Sequence, residues 1–141
     1  MKLRIDQQVM RAVSSHLSHD TSREHGGFLL GTAHDATTHV HESHACIDAP
    51  GSMDHLTFTP ECWQKLHSTV DPDVDTSRIV VGWYHSHPGM RLDMSARDRW
   101  LHRHFFASPF SIAWIQDPIA GTSAFWRWDD GPVAVTPATE G

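Results

Sequence analysis

An apolar run near the middle of the chain places the strongest constraint on its fold. Residues 79–84 read Ile-Val-Val-Gly-Trp-Tyr, and β-branched and aromatic residues of this kind favour strands. Pro88 and Gly89 follow shortly afterwards and are typical of a turn. The pattern therefore predicts a central strand with His85 and His87 at its end, where the chain turns outward.

The other hydrophobic patterns predict a sheet flanked by helices. Asp6 can cap a helix whose apolar residues recur every four positions at Val9, Val13 and Leu17, and which ends near His19. Further strands are expected at 2–5, 28–31, 38–47, 110–115 and 123–128, further helices at 59–70 and 95–106, and a loop at 48–55. This order of elements predicts a mixed α/β fold.

Length and charge limit the classes of function. The 141 residues fit one domain, which we expect to span residues 1–135, with a short flexible tail at 136–141. The formal net charge of −6 opposes extended contact with nucleic acid or an anionic membrane, because both need clustered lysine and arginine. Polar residues near the N-terminus interrupt any apolar run that a signal peptide or spanning helix needs. We therefore expect a cytoplasmic protein that acts on a protein or peptide.

The two cysteines are expected to be packing residues. Cys46 and Cys62 are too few and too far apart in sequence for a disulfide framework or a cysteine-type zinc site. A reducing compartment would leave them as free thiols. Free cysteines are usually buried, so we expect both in the core.

A histidine pair followed by a carboxylate is the most informative motif. His85 and His87 flank one serine, and Ser95-x-x-Asp98 follows after seven residues. Side chains two apart on an extended backbone share a face, so both imidazoles can reach one ion, and Asp98 lies in the first turn of the next predicted helix. Three such ligands leave one zinc position open for water, as catalysis requires. The alternative is a chance histidine pair beside a capping box that starts a helix.

Hydrolysis at such a metal also needs a base, and Glu24 is the candidate. It stands just before Gly26 and Gly27, whose missing side chains allow a neighbouring segment to approach closely. A base of this kind takes the proton of the bound water and passes it to the departing amine. On local sequence alone, the alternative for Glu24 is a solvated loop carboxylate.

Three segments together resemble the JAMM, or MPN-plus, metalloprotease family, and the resemblance covers about residues 23–118. They are Glu24-His25-Gly26-Gly27-Phe28-Leu29-Leu30-Gly31, Gly82-Trp83-Tyr84-His85-Ser86-His87-Pro88-Gly89 and Ser95-x-x-Asp98. The middle segment is similar to the deubiquitinating and deneddylating members. The resemblance implies a curved mixed sheet flanked by helices, with a zinc site at a strand-to-helix junction.

The resemblance also assigns roles to residues. It implies that His85, His87 and Asp98 bind Zn²⁺, that Glu24 is the general acid/base, and that Ser95 stabilises the oxyanion. The implied reaction is hydrolysis of an isopeptide or peptide bond after the C-terminal Gly-Gly of a ubiquitin-like protein or its conjugates. The alternatives are a processing peptidase for a sulfur-carrier or ubiquitin-like precursor, and a non-catalytic partner-binding module with structural zinc. Action with a protein partner or as a homo-oligomer stays open.

Several residues depart from the family pattern or compete with the main site. Only 23 residues follow Asp117-Pro118 in this sequence, so we do not expect the second insertion that grips the distal part of a ubiquitin chain in some relatives. Asp93 is a weak competitor as a ligand, since a second carboxylate would close the open position. His39 and His41, in a cluster with His34 and His44, share a strand face but have no carboxylate downstream, so a solvated face is expected, with adventitious metal binding as the alternative. His102 is expected at the surface, with a place beside the metal ligands as the alternative.

Overall fold

The computed structural model describes residues 1–46, 58–69 and 78–140. Within these ranges lie eight strands and three helices. Their order is β1 (Lys2–Asp6), α1 (Gln7–Ser18), β2 (Gly26–His34), β3 (Thr37–Cys46), α2 (Pro60–Thr69), β4 (Ile79–Ser86), α3 (Ala96–Phe105), β5 (Ile112–Asp117), β6 (Thr122–Trp128), β7 (Pro132–Ala134) and β8 (Ala138–Glu140). The predicted helices and the six predicted strands are confirmed, with shifts of a few residues at their ends.

The strands form one mixed sheet in the order β7-β6-β5-β4-β2-β3-β1-β8. The pairs β1–β3, β1–β8 and β4–β5 are parallel, and the pairs β2–β3, β2–β4, β5–β6 and β6–β7 are antiparallel. The predicted mixed α/β fold is therefore confirmed. β4 lies in the interior of the sheet, as its uninterrupted apolar run requires.

The helices cover both faces of this sheet. Val9, Val13 and Leu17 of α1 belong to one buried cluster, together with Leu29 of β2 and Trp114 of β5. The opposite cluster joins α2 and α3 to the alternate residues of the same strands; its members include Leu66, Leu101, Phe28, Trp83 and Ile115. Because consecutive strand residues point to opposite faces, the short apolar strands supply both cores.

The C-terminal part of the chain differs from the expectation. Residues 136–141 are expected to be a flexible tail, but β8 pairs in parallel with β1 from Arg4↔Ala138 to Asp6↔Glu140. A strand of three residues carries too little pattern to be recognised from sequence, and it is held here by a neighbour far away in the chain. The expected loop at 48–55 and the last residue of the helix expected at 59–70 lie outside the described residues. None of the described helices has the length and apolar character needed to cross a membrane.

The free-thiol prediction for the two cysteines is wrong. Cys46 and Cys62 form a disulfide, with their Cα atoms 5.6 Å apart, a separation that suits such a bond. Cys46 ends β3 and Cys62 lies in the first turn of α2. Both are buried as expected. Packing of α2 against the sheet brings them together across 16 positions of sequence, which spacing alone does not reveal.

Candidate functional site

The end of β4 holds the histidine pair in rigid surroundings. β4 is paired on both sides, with Gly26 of β2 opposite His85 and with Ile115 of β5 on the other edge. Beyond the strand, the His87 backbone N–H donates to Gln116 O at 2.8 Å. His85 is fully buried and His87 is 3% exposed. Their positions are therefore set by sheet pairing and not by a mobile loop.

The turn after β4 is fixed by a carboxylate that sequence reasoning did not single out. Asp117 Oδ1 accepts hydrogen bonds from the backbone N–H groups of Gly89, Ile119 and Ala120 at 3.0, 2.9 and 3.3 Å. Burial acts to raise the pKa of Asp117, but these hydrogen bonds lower it on balance. The turn that carries His87 away from the sheet is thus tied to the end of β5.

The first turn of α3 supplies the third candidate ligand. Ser95 is the N-cap: its Oγ accepts from Asp98 N at 3.1 Å, while Asp98 Oδ2 accepts from Ser95 N at 3.0 Å. The capping box considered as an alternative to a metal site is therefore present. Asp98 is only 4% exposed. The two interpretations are compatible, because the capping box orients the same carboxylate toward the histidines.

Three side chains converge on one buried point. The Nε2 atoms of His85 and His87 lie 3.0 Å apart. Asp98 Oδ1 lies 3.0 Å from His85 Nε2, and Asp98 Oδ2 lies 3.0 Å from His87 Nε2. The structure thus brings together the three residues that the motif predicted as ligands.

A backbone contact sets which nitrogen of His87 faces this point. His87 Nδ1 donates to the Arg91 carbonyl oxygen at 2.7 Å, since a carbonyl can only accept. The neutral ring therefore presents the lone pair of Nε2 toward His85 and Asp98, as metal ligation requires. Burial acts to lower the pKa of His87, but the hydrogen bonds to Asp98 and Arg91 and the negative charges of Asp98 and Glu24 raise it on balance.

The charge state of Asp98 follows from the same contacts. Burial acts to raise its pKa, whereas the charge of His85, the hydrogen bonds from both histidines and the Ser95 N–H lower it well below its usual range. Asp98 is therefore an anion at neutral pH. A buried carboxylate facing two imidazole nitrogens provides the charge and the nitrogen and oxygen donors that suit a divalent zinc-type ion.

Glu24 is the fourth member of this buried group. One ligand atom each from Glu24, His85, His87 and Asp98 lies within 4.8 Å of the others. Glu24 is 1% exposed, so the solvated-loop alternative is wrong. The segment is pinned to β4, because His25 N donates to Ser86 Oγ and Ser86 N donates to His25 O, both at 2.9 Å.

Gly27 allows the close approach of neighbouring segments that the sequence predicts. A Cβ on Gly27 would lie 2.4 Å from His44 O and 2.7 Å from the Tyr84 ring. β2 therefore fits between β3 and β4 only with glycine at this position. The tight pairing brings the start of β2, and Glu24 just before it, next to the end of β4.

The acidic residues Asp93, Glu42 and Glu61 are not part of this group. Asp93 is exposed and pairs with Arg91, with 3.2 Å between Oδ2 and Nη2. Glu42 pairs with Arg78, and Glu61 is exposed in the first turn of α2. Ser95 is also exposed, so its hydroxyl can accept from Asp98 N and still offer its hydrogen to a substrate oxygen.

The surface prediction for His102 is wrong. The residue is expected at the surface, but it is 2% exposed, and its Nδ1 accepts a hydrogen bond from Trp83 Nε1 at 3.0 Å. Burial lowers the pKa of His102 to about 4, so the ring is neutral at physiological pH. The available signal was its position one turn after Asp98 on the helix, which indicates a shared face.

Comparisons with known proteins agree with this fold. A family model described as "JAB1/Mov34/MPN/PAD-1 ubiquitin protease" matches residues 1–107. The solution structure of protein DSY2949 from Desulfitobacterium hafniense is similar over 98% of this chain and 92% of that chain, with a TM-score of 0.77 and 19% identity. At that identity the likeness concerns the fold alone. No curated protein matches the sequence. Because the family model covers most of the chain and the fold agrees, this protein belongs to the JAB1/Mov34/MPN/PAD-1 family.

Proposed function

We propose that this chain is a zinc-dependent hydrolase of the JAMM type, which cleaves isopeptide or peptide bonds after the C-terminal Gly-Gly of a ubiquitin-like protein. The observation that carries the proposal is the convergence of His85, His87 and Asp98 beside the buried carboxylate of Glu24. Family membership supports it, although the family also includes members without catalysis. The proposal of catalysis therefore depends on the identity of these four residues together with their positions in the structure.

His85, His87 and Asp98 would hold Zn²⁺ through two Nε2 atoms and a carboxylate oxygen. When bound, the ion would polarise the scissile carbonyl and lower the pKa of a bound water. The chain holds these side chains rigidly. Sheet pairing fixes the two histidines, and the Arg91 carbonyl fixes the tautomer of His87. The capping box fixes the carboxylate of Asp98. Little reorganisation is then needed during the reaction.

Glu24 and Ser95 would perform the remaining chemistry. Glu24 would accept the proton of the attacking water and pass it to the leaving amine, and its buried place among the candidate ligands puts it within reach of both. Ser95 would donate its hydroxyl hydrogen to the developing oxyanion. Its exposure at the N-cap leaves it accessible to a substrate.

The burial of the site supports a substrate without side-chain bulk near the cut bond. Glu24, His85, His87 and Asp98 are all at most 4% exposed, so an incoming chain has to be narrow. A Gly-Gly tail meets this demand, and its extended backbone can pair with a strand or loop of the enzyme. The resemblance implies that residues 48–59, almost all outside the described residues, correspond to the family's first insertion. We propose that it orders over the tail.

Two other functions fit parts of the same observations. A processing peptidase that trims a sulfur-carrier or ubiquitin-like precursor would use the same residues and also leave a Gly-Gly end. A non-catalytic module would use Glu24 as a fourth ligand that closes a structural zinc site, and its proximity to the other three residues makes this a specific alternative. Cytoplasmic location, and action with a partner or as a homo-oligomer, stay predictions.

The direct test is a panel of ubiquitin-like proteins fused through Gly-Gly to a reporter, incubated with the protein, with and without a chelator. We expect cleavage after Gly-Gly that stops with the chelator and returns with added zinc. His87→Ala serves as the matched control and is expected to lose both zinc and cleavage. Preference for linear precursors over isopeptide conjugates would select the processing peptidase. Stoichiometric zinc without any cleavage would favour the non-catalytic module.

A further inference from the structure

A second group of metal-binding side chains lies at the start of α1, away from the candidate active site. Asp6 Oδ1 lies 2.7 Å from His39 Nε2, and Asp6 Oδ2 lies 3.0 Å from His41 Nδ1. The two imidazole rings are close, with centroids 3.9 Å apart. Ligand atoms of all three residues lie within 4.8 Å of one another.

Strand register brings the missing carboxylate to the histidines. β1 and β3 are parallel neighbours, with Arg4 opposite His39 and Ile5 opposite Val40, so the chain reaches Asp6 beside the segment that holds His41. From the sequence, a solvated face is expected for this histidine pair because no carboxylate follows it. The carboxylate comes instead from a residue 33 positions before His39.

The orientation of the Asp6 side chain is a second, independent observation. Asp6 is the N-cap of α1, where aspartate usually accepts a hydrogen bond from a backbone N–H of the first turn. Here the side chain makes no cap hydrogen bond. Both of its oxygens face the imidazoles instead. The Asp6 carboxylate thus contacts two imidazole nitrogens and does not cap the helix.

We propose that Asp6, His39 and His41 form a second site for a divalent transition-metal ion of the zinc type. Two imidazole nitrogens and one carboxylate oxygen match the donors at the candidate active site, and water would complete the coordination. The His39, His41 and Asp6 side chains are 25%, 42% and 21% exposed. We therefore expect weaker binding here than at the buried site.

The two sites are separate. His39 pairs with Thr32, six residues along β2 from Gly26, which pairs with His85. Six strand residues span roughly 20 Å, so no single ion can use both groups. A metal at the second site would tie the junction between β1 and α1 to β3, and its expected effect is on the stability of the protein.

The experiment counts zinc in the intact protein by equilibrium dialysis and elemental analysis, across a range of free zinc concentrations. Native protein should bind two ions per chain, the second more weakly. His39→Ala, His41→Ala and Asp6→Asn should each weaken the second ion at least tenfold and keep the first. Asparagine is chosen because it also serves as an N-cap. His34→Ala is the matched control, since His34 pairs with Asp35 on the surface without a second histidine.

Cobalt provides an independent readout. A second equivalent of Co²⁺ should produce visible absorption in native protein and in His34→Ala, but not in His41→Ala. It should also raise the melting temperature of native protein more than that of His41→Ala. The proposal is overturned if native protein saturates at one ion that His39→Ala keeps, if a second ion survives in His39→Ala, or if His34→Ala removes it equally. None of these readouts depends on cleavage, so failure here is distinct from failure of the proposed hydrolase.

Discussion

The indole ring of Trp83 lies flat against the imidazole of His85, with centroids 4.5 Å apart and planes 3° from parallel. The same indole donates its N–H to His102, so α3 is linked to a candidate zinc ligand through one aromatic ring. The His102 ring also contacts the rings of Phe106 and Trp128, at centroid distances of 6.3 and 5.8 Å. The orientation of His85 thus depends on a buried stack and not only on its strand.

His102→Leu should weaken zinc binding about tenfold, as is typical when a group supporting a ligand is lost. The change leaves the buried Trp83 N–H without an acceptor and frees the ring that orients His85. His102→Gln is the matched control, because its amide oxygen can still accept. Competition with a chromophoric chelator measures the affinity. If both variants bind zinc as tightly as the native protein, the stack plays no part in holding the ligand.

The free energy of unfolding should decrease as the pH is lowered, because His102 has to take up a proton on unfolding. Its pKa is lowered from 6.5 to about 4 in the folded protein, so between these values the unfolded chain binds a proton that the folded chain does not. The neutral ring's contribution is present above pH 6.5 and is lost as pH falls toward 4, at up to about 1.4 kcal/mol per pH unit. Urea unfolding measures the free energy of unfolding at pH 7 and at pH 5. The decrease between the two pH values should be smaller for His102→Gln than for native protein. His104→Gln, at an exposed position, should show the same decrease as native protein.

Glu24→Gln should separate binding from chemistry. The amide keeps the size of the side chain but cannot take a proton, so turnover should fall by roughly 10² to 10⁴ while zinc content and substrate affinity stay near native. Cleavage kinetics and elemental analysis on the same preparation measure this. Loss of zinc in the variant would instead make Glu24 a ligand and favour the structural-zinc alternative. Undiminished turnover would place the base elsewhere.

Ser95→Ala should lower both stability and rate. It removes the N-cap acceptor for Asp98 N, worth about 1 kcal/mol, and one oxyanion donor, worth about 10² to 10³ in rate. Ser95→Gly separates the two effects, because glycine is nearly as good an N-cap as serine but offers no hydroxyl. Slow cleavage at nearly native stability is expected for that variant. Normal cleavage by Ser95→Gly would leave Ser95 as a helix cap only.

The disulfide should contribute to stability. Closing a loop of the size between Cys46 and Cys62 is worth roughly 3 kcal/mol, so a reductant should lower the free energy of unfolding by about that amount. The double variant Cys46→Ala/Cys62→Ala should not respond to reductant. Alkylation followed by mass spectrometry checks the bond directly. Two labelled cysteines in protein denatured without reductant would show that the thiols are unpaired, as a reducing compartment implies.

The amino-acid sequence by itself determined the elements and the candidate metal ligands. The apolar run at 79–84 and the spacing of Val9, Val13 and Leu17 predict β4 and α1 because side-chain direction repeats every two or 3.6 residues. The same rule places His85 and His87 on one face of the chain. Asp98 follows eleven residues after His87, in a capping box. All of these relations act over short stretches of chain, so local spacing reveals them.

Only the tertiary structure decided the relations between distant segments. Glu24 becomes a buried neighbour of His85 because β2 pairs beside β4 across 61 positions of sequence. Cys46 meets Cys62 through the packing of α2, and Asp6 meets His39 and His41 through strand register. His102 of α3 is buried where Trp83 of β4 and Trp128 of β6 contact it. Such contacts depend on which elements pack together, and a local pattern specifies the faces of an element but not its neighbours.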